Sequence, residues 1–275
     1  MSAPVGIAGL GLIGGSFGLA LRAAGTEVLG YDPDAAAVQG ALSRGAVSRA
    51  SANPHALNGA GVVILAAPLH QLVAAARALA PHLSRGCVVV DVGSVKAPLV
   101  PQLERALAPG QHYVGGHPMF GGDARGIDAA DAAIVEGAPF ILTPTEQSDP
   151  TAVDAVEEIA RRIGMRPLRM SPEEHDQQVA AVSHLVFLAG AALIRAAPNL
   201  EVAGSGFRDA TRPAAAPEAM WVEILRLNRQ PILAAARRFA EEVEQLLSLD
   251  GEELQRALSE ARRRRGQRFT VTRKP

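Results

Sequence analysis

Val5-Gly6-Ile7-Ala8-Gly9-Leu10-Gly11-Leu12-Ile13-Gly14-Gly15-Ser16 is the stretch whose reading decides the fold. A short apolar run ends in Gly9-x-Gly11-x-x-Gly14, and Phe17, Leu19, Ala20 and Leu21 follow with helical spacing. Gly9 permits a tight strand-to-helix turn, Gly11 lets a pyrophosphate approach bare backbone, and Gly14 lets the helix lie close on the strand. The positive end of that helix would hold the phosphates. A second β-like run, Glu27 to Tyr31, ends in Asp32, where an acid can bind a ribose hydroxyl. The alternative is a glycine-rich turn in another kind of α/β protein. Strand, helix, second strand and terminal acid together favour a dinucleotide site.

Alternation continues outward from this unit. Ala35 to Arg44 reads as a helix, Gly61 to Ala66 as a buried strand stopped by Pro68, and Gln71 to Leu83 as a helix. Val88 to Asp91 reads as a strand, Lys96 to Leu107 as a helix, and Tyr113 to Gly116 and Phe140 to Thr143 as further strands. This pattern predicts an α/β domain with a mostly parallel sheet covered on both faces. Such sheets bind ligands beyond the carboxyl ends of their strands. The expected cofactor contacts are therefore Gly9, Gly11, Leu12, Ile13 and Gly14 at the turn, Asp32 at the ribose, and Ala67 and Pro68 past the next strand. No arginine stands beside Asp32-Pro33-Asp34 to meet a 2′-phosphate, which leans toward NAD over NADP.

Near residue 170 the pattern turns helical. Ser171-Pro172-Glu173-Glu174 is a helix start, and Val179 to Ala197 continues it. Pro217 opens another helix, Ile232 to Leu247 is amphipathic, and Asp250 begins a last one that ends at Arg262 to Arg265. The chain divides into an α/β domain, 1–168, and an all-helical domain, 169–275, with the arginine tail read as a frayed end. So apolar and short a helical domain predicts a homodimer through it.

Composition bounds the rest. The 275 residues carry a formal net charge of −1, which gives no electrostatic reason to expect nucleic acid or an anionic membrane. One cysteine, Cys87, sits in an apolar strand and suits a reducing cytoplasm. No signal segment and no membrane-length apolar run is read, and no metal is expected.

Candidate catalytic groups follow from position. His117, in Gly115-Gly116-His117-Pro118-Met119-Phe120-Gly121-Gly122, lies at a strand end among glycines, where an imidazole can accept a proton from an alcohol losing hydride. Otherwise it is a loop histidine packed on Pro118. Ser94, in Asp91-Val92-Gly93-Ser94-Val95-Lys96, could bond His117 or a substrate hydroxyl, or cap a helix. Asp176, Ala180, Ser183, His184 and Phe187 share one helix face, with His184 either a satisfied core group or part of a pocket. Gly204 to Arg212 reads as a glycine-flexed loop whose arginine clamps a carboxylate or pairs at the surface. His55, His70, His82 and His112 read as solvated.

Together these motifs, with Val182-Ser183-His184-Leu185, Gly206-Phe207-Arg208-Asp209-Ala210-Thr211-Arg212 and Met220-Trp221, resemble the prephenate/arogenate dehydrogenase family of tyrosine biosynthesis from Val5 to about Leu247. The resemblance implies a Rossmann-type domain followed by a dimerisation domain. It also implies NAD-dependent oxidative decarboxylation of prephenate to 4-hydroxyphenylpyruvate, or of arogenate to tyrosine. By the same likeness His117 takes the ring-hydroxyl proton, Ser94 orients it, Arg212 binds a carboxylate, and His184 and Gly206 line the substrate site. Aromatisation supplies the driving force. Two positions depart from the family: Phe187 stands where a second histidine is usual, and Gly122-Asp123 where Thr-Glu is common. A β-hydroxyacid dehydrogenase or imine reductase is a competing class, although Pro172 to Ala197 lacks the lysine such enzymes use. A non-catalytic nucleotide sensor is the other.

Overall fold

The structure, a computed structural model, describes residues 3–121 and 124–269. Gly122 and Asp123 lie outside the described residues. The α/β half runs β1 (Val5–Ala8), α1 (Leu12–Ala23), β2 (Val28–Tyr31), α2 (Ala35–Ser43), β3 (Arg49–Ser51), β4 (Val62–Leu65), α3 (Leu72–Leu79) and β5 (Val88–Asp91). It continues with α4 (Val100–Glu104), β6 (His112–Pro118), β7 (Pro139–Thr143), α5 (Pro150–Arg162) and β8 (Arg166–Arg169). The eight strands stand in the order β3-β2-β1-β4-β5-β6-β7-β8. Every pairing is parallel except β6 with β7.

Strand periodicity explains the two apolar layers. Val5, Ile7, Val62, Ile64, Val88 and Val90 join Phe17, Val38 and Val153 on one face. Their alternates Ala8, Val63, Leu65 and Val89 join Leu72, Leu79, Leu103 and Tyr113 on the other. Connections leave β1 one way toward β3 and leave β4 the other way toward β8, so the order reverses between β1 and β4. That switch point is where an open α/β sheet takes its ligand.

Two short strands were not legible: β3, with only three residues, and β8, Arg-Pro-Leu-Arg, whose polar residues hide a sheet edge. The helix expected over Lys96 to Leu107 shrinks to Val100–Glu104, and the Lys96 and Ala97 N–H groups ahead of it are taken by Asp176.

From Pro172 onward every described element is helical: α6 (Pro172–Val179), a π-helical turn (Ala180–His184), α7 (Leu185–Ala196), α8 (Ser205–Thr211), α9 (Glu218–Leu227), α10 (Arg229–Ser248) and α11 (Gly251–Arg268). Ser171 caps α6 through the Glu174 N–H at 3.1 Å. Segment 204–212 is therefore a short helix, not a loop. The arginine run is not frayed either: Asp250 caps α11 through the Glu252 and Glu253 N–H groups, and the helix holds through Arg268. The continuous helix Pro172–Ala196, with mean hydropathy 1.8 over its most apolar window, is long and apolar enough to cross a membrane. Its first half, however, carries Glu173, Glu174 and Asp176, and Asp176, Val179, Ala180 and His184 are buried within the protein.

The glycines of the first turn separate by crowding. A Cβ on Gly14 would stand 1.9 Å from the Gly9 carbonyl oxygen, and one on Gly9, where φ is +100°, 2.4 Å from the Ala66 oxygen. A Cβ on Gly11 would meet nothing within 4 Å. Gly14→Ala is expected to cost about 1–3 kcal/mol by overpacking, seen as a lower urea midpoint, while Gly11→Ala leaves the midpoint within experimental error.

Candidate active site

The sheet's carboxyl end gathers the groups named from sequence. α1 starts without a side-chain cap, so its first-turn N–H groups lack intrahelical acceptors. Asp32, at the end of β2, takes the Leu10 N–H at 2.8 Å and the Asp34 N–H at 2.9 Å. Its carboxylate is thereby tied to the glycine turn itself. Ala67 and Pro68 follow β4, half-buried and exposed. Phe120 packs on Phe17 of α1 with ring centroids 5.4 Å apart, and the Gly121 backbone faces Ile13. The segment just after His117 thus rests on the start of α1.

His117 lies inside β6 rather than past its end. Residues 112–114 pair with β5, whereas 115–118 pair only with β7, His117 opposite Ile141. Its ring is buried, and its Nδ1 lies 2.8 Å from Nε2 of His175. Nδ1 of His175 in turn lies 2.7 Å from Oδ1 of Asp176. A carboxylate accepts, so His175 donates from Nδ1. Burial holds both rings below the ordinary imidazole value, the effect on His117 reinforced by His175, Lys96 and His184 and that on His175 opposed by Asp176. A neutral His175 then accepts at Nε2, which makes His117 Nδ1 the donor and leaves its Nε2 lone pair free to take a proton.

The expected partner of His117 was Ser94. Among the described residues its ring bonds His175 instead, and the half-buried Ser94 hydroxyl bonds neither ring. His175 was missed because a Glu-His-Asp run in a polar first turn reads as solvated; its signal is that it falls one helical turn from both Pro172 and Val179, all three buried.

A second buried network fixes the strand beneath His117. Asp91 at the end of β5 accepts from Tyr113 Oη at 2.7 Å, Gly116 N at 3.1 Å and Gly93 N at 2.8 Å, and it pairs with Lys96. Lys96 Nζ also donates to the Gly116 carbonyl, one peptide before His117. Burial lowers the Lys96 pKa against the pull of Asp91, and burial together with Asp91 raises that of Tyr113.

His184 sits on the π turn, 1% exposed, with burial pushing it down to about 4. Its Nδ1 lies 3.1 Å from Asn228 Nδ2, and its Nε2 has no hydrogen-bond partner of good geometry. Phe187 stacks on Trp221 with centroids 3.9 Å apart and planes 9° apart. Arg212 and Gly206 are exposed on the segment formed by α8 and the turn after it, which lies against α7 at Gly190. The structure brings His117, His184 and the Ser94 turn together and leaves Arg212 at the surface of the chain. Of the other histidines, His70 lies 3.2 Å from Glu223 and His112 3.8 Å from Asp149, while His55 and His82 pack edge to face. His82 keeps a buried Nδ1, so it is not simply solvated. Cys87 is buried, its thiol pushed up to about 11. A surface hollow of about 360 Å³ lined by Thr26, His112, Glu158 and Arg162 opens beside the amino ends of the strands, away from this chemistry.

Two stability tests follow. Lys96→Met leaves Asp91 buried without its cation and is expected to cost about 3–5 kcal/mol, with Lys96→Met/Asp91→Asn recovering part in the same denaturant titration. His184 holds a folded value of about 4 against 6.5 when unfolded, so between these only the unfolded chain takes up the proton. Its contribution is complete above about pH 6.5 and fades toward pH 4 by on the order of 3 kcal/mol. His184→Gln should flatten that part of the stability profile.

Comparison with known proteins agrees with this geometry. Residues 17–168 match the nucleotide-binding domain of prephenate dehydrogenase, and residues 171–260 match its dimerization domain. The chain is 32% identical over 252 residues to the prephenate dehydrogenase of Bacillus subtilis (strain 168), covering 87% of this chain and 68% of that one. Prephenate dehydrogenase from A. aeolicus, solved in complex with hydroxyphenyl propionate and NAD+, superposes with a TM-score of 0.87 at 30% identity, covering 98% of this chain and 99% of that one. Synechocystis arogenate dehydrogenase gives a TM-score of 0.83 at 30% identity over 97% and 100% of the two chains. With a glycine turn at the switch point, a buried imidazole at the same sheet end and both domains matched in order, this chain belongs to the prephenate dehydrogenase family.

Proposed function

We propose that the protein is an NAD-dependent dehydrogenase that oxidises and decarboxylates prephenate to 4-hydroxyphenylpyruvate. The observation that carries this is the chain Asp176–His175–His117, which presents a neutral imidazole with a free Nε2 at the carboxyl end of the sheet. The residues present fit the cofactor: space stands open at Gly11, the α1 terminus is uncapped, and the Asp32 carboxylate is anchored at the glycine turn. Gly9, Gly11, Leu12, Ile13 and Gly14 would hold the pyrophosphate, Asp32 the ribose, and Ala67 and Pro68 the lip of the site. When bound, NAD supplies the hydride acceptor.

This chain's own groups supply the rest. His117 Nε2 takes the proton of the ring hydroxyl as that carbon is oxidised, and His175 and Asp176 keep the ring in the tautomer that can do so. Ser94, on the turn beside His184, orients the hydroxyl. Arg212 would hold a substrate carboxylate by its fork. Loss of the ring carboxylate is driven by aromatisation. Arogenate is the second reading. The similarity to an arogenate dehydrogenase and the apolar Phe187–Trp221 stack both favour keeping it.

The dimerization domain and the exposed apolar residues Val182, Phe239 and Leu247 support a homodimer through the helices. Phe239→Glu should move the protein to monomer in sedimentation velocity. A single buried cysteine fits a cytoplasmic enzyme.

NADH absorbance with prephenate, then arogenate, tests the function directly; no turnover of either, with tight NAD binding, would favour a nucleotide sensor. His117→Asn is expected to lower kcat about 100-fold or more with NAD affinity retained. Arg212→Ala should chiefly raise substrate KM, and Gly11→Ala should raise the NAD Kd alone. The His117 base must be neutral, and burial lowers its pKa, so kcat/KM holds as pH falls through 6.5 and drops only below.

A further inference from the structure

The mechanism leaves Asn228 unused. It sits where α9 meets α10, 2% exposed, and its backbone already serves both helices through Ile224 and Ile232. Its side-chain amide is oriented without ambiguity: Nδ2 lies 2.8 Å from the Asp176 carbonyl oxygen, which can only accept. The second hydrogen of that nitrogen faces His184 Nδ1 at 3.1 Å. A donor aimed at Nδ1 makes Nδ1 the acceptor, so the neutral ring carries its hydrogen on Nε2. That N–H is buried against the Ser94 backbone carbonyl, which draws on it without reaching full hydrogen-bond geometry. A buried donor held this loosely is costly, and one kept beside His117 calls for a better-placed acceptor brought from outside.

We propose that Asn228 is a positioning residue that locks His184 as the Nε2–H tautomer, making it the hydrogen-bond donor to an oxygen of the bound substrate. The cluster then holds two neutral imidazoles in opposite tautomers. His117, set by His175, presents a bare nitrogen to the hydroxyl that gives up a proton. His184, set by Asn228, presents an N–H to an oxygen that carries or gains negative charge. Asp176 feeds both, through its carboxylate to one and its backbone carbonyl to the other.

This rests on the dehydrogenase reading, and the test separates the two. In protein carrying nitrogen-15 histidine, ring-nitrogen shifts report which nitrogen is protonated, with His184→Gln assigning the signal. Wild type should show His184 protonated at Nε2. Asn228→Ala should give a mixture of tautomers. Adding NAD with hydroxyphenyl propionate should move the wild-type Nε2–H signal. Protonation at Nδ1 in the wild type, or an Nε2–H signal unmoved by that ligand pair, overturns the proposal whatever the enzyme's activity. In kinetics, Asn228→Ala should raise substrate KM about tenfold and leave the NAD KM unchanged. In the His184→Gln background, which has no tautomer to set, it should add nothing. Equal KM increases in both backgrounds would reduce Asn228 to a packing role. Absence of turnover in the wild type would count against the dehydrogenase reading alone, since the tautomer measurement needs no catalysis.

Discussion

The carboxyl group and backbone of Asp176 are the point on which the rest of the structure turns. One oxygen takes the Lys96 N–H at 2.8 Å and also faces His175; the other takes the Ala97 N–H at 2.9 Å. Its carbonyl takes Asn228. A single buried residue on the first helix past the sheet therefore ends the turn after β5, orients the ring that orients His117, and fastens the start of α10. Such a group is stable inside a protein only because each of its acceptor sites is used. The same requirement joins the helical half to the sheet at one geometry.

Electrostatics in this interior work by subtraction. Three histidines lie close together, and burial depresses all of them, so none carries charge at neutral pH. The fixed charges are kept one layer down, in the pair of Asp91 and Lys96, where Tyr113, Gly93 and Gly116 complete the carboxylate's bonding. Neutral rings can differ from one another only in which nitrogen bears hydrogen. Chemical direction in the site is thereby written in hydrogen-bond polarity rather than in charge.

Much of this was legible in the chain. Gly9 and Gly14 announce their places because steric demand at a strand-to-helix turn leaves few alternatives. Val88 to Val90 and Val62 to Leu65 announce theirs by composition. What stayed hidden depended on contacts distant in sequence. Nothing local to Lys96 says that its backbone N–H is held by Asp176, 80 residues later. Nothing in Glu174-His175-Asp176 says that its histidine is buried, since the ring is covered only when β6 comes against it. Arg-Pro-Leu-Arg reads as a loop because an edge strand need not be apolar. Ser94 was paired with His117 by its place past a strand end as well as by resemblance, whereas the ring is held in this chain by His175.

The π-helical turn at Ala180–His184 has a consequence for how the chain can change. A regular helix advances by about 100° per residue, and a widened turn resets that angle midway along a single rod. Upstream of it lie Asp176 and His175, which faces His117; downstream lie Val186, Leu193 and Ile194, exposed on the chain's own surface. The two faces are geared together through one loosened coil. Losing a residue there would swing one end of the rod against the other by about 100°, so the buried and the exposed face keep their relative setting only while the widened turn is kept.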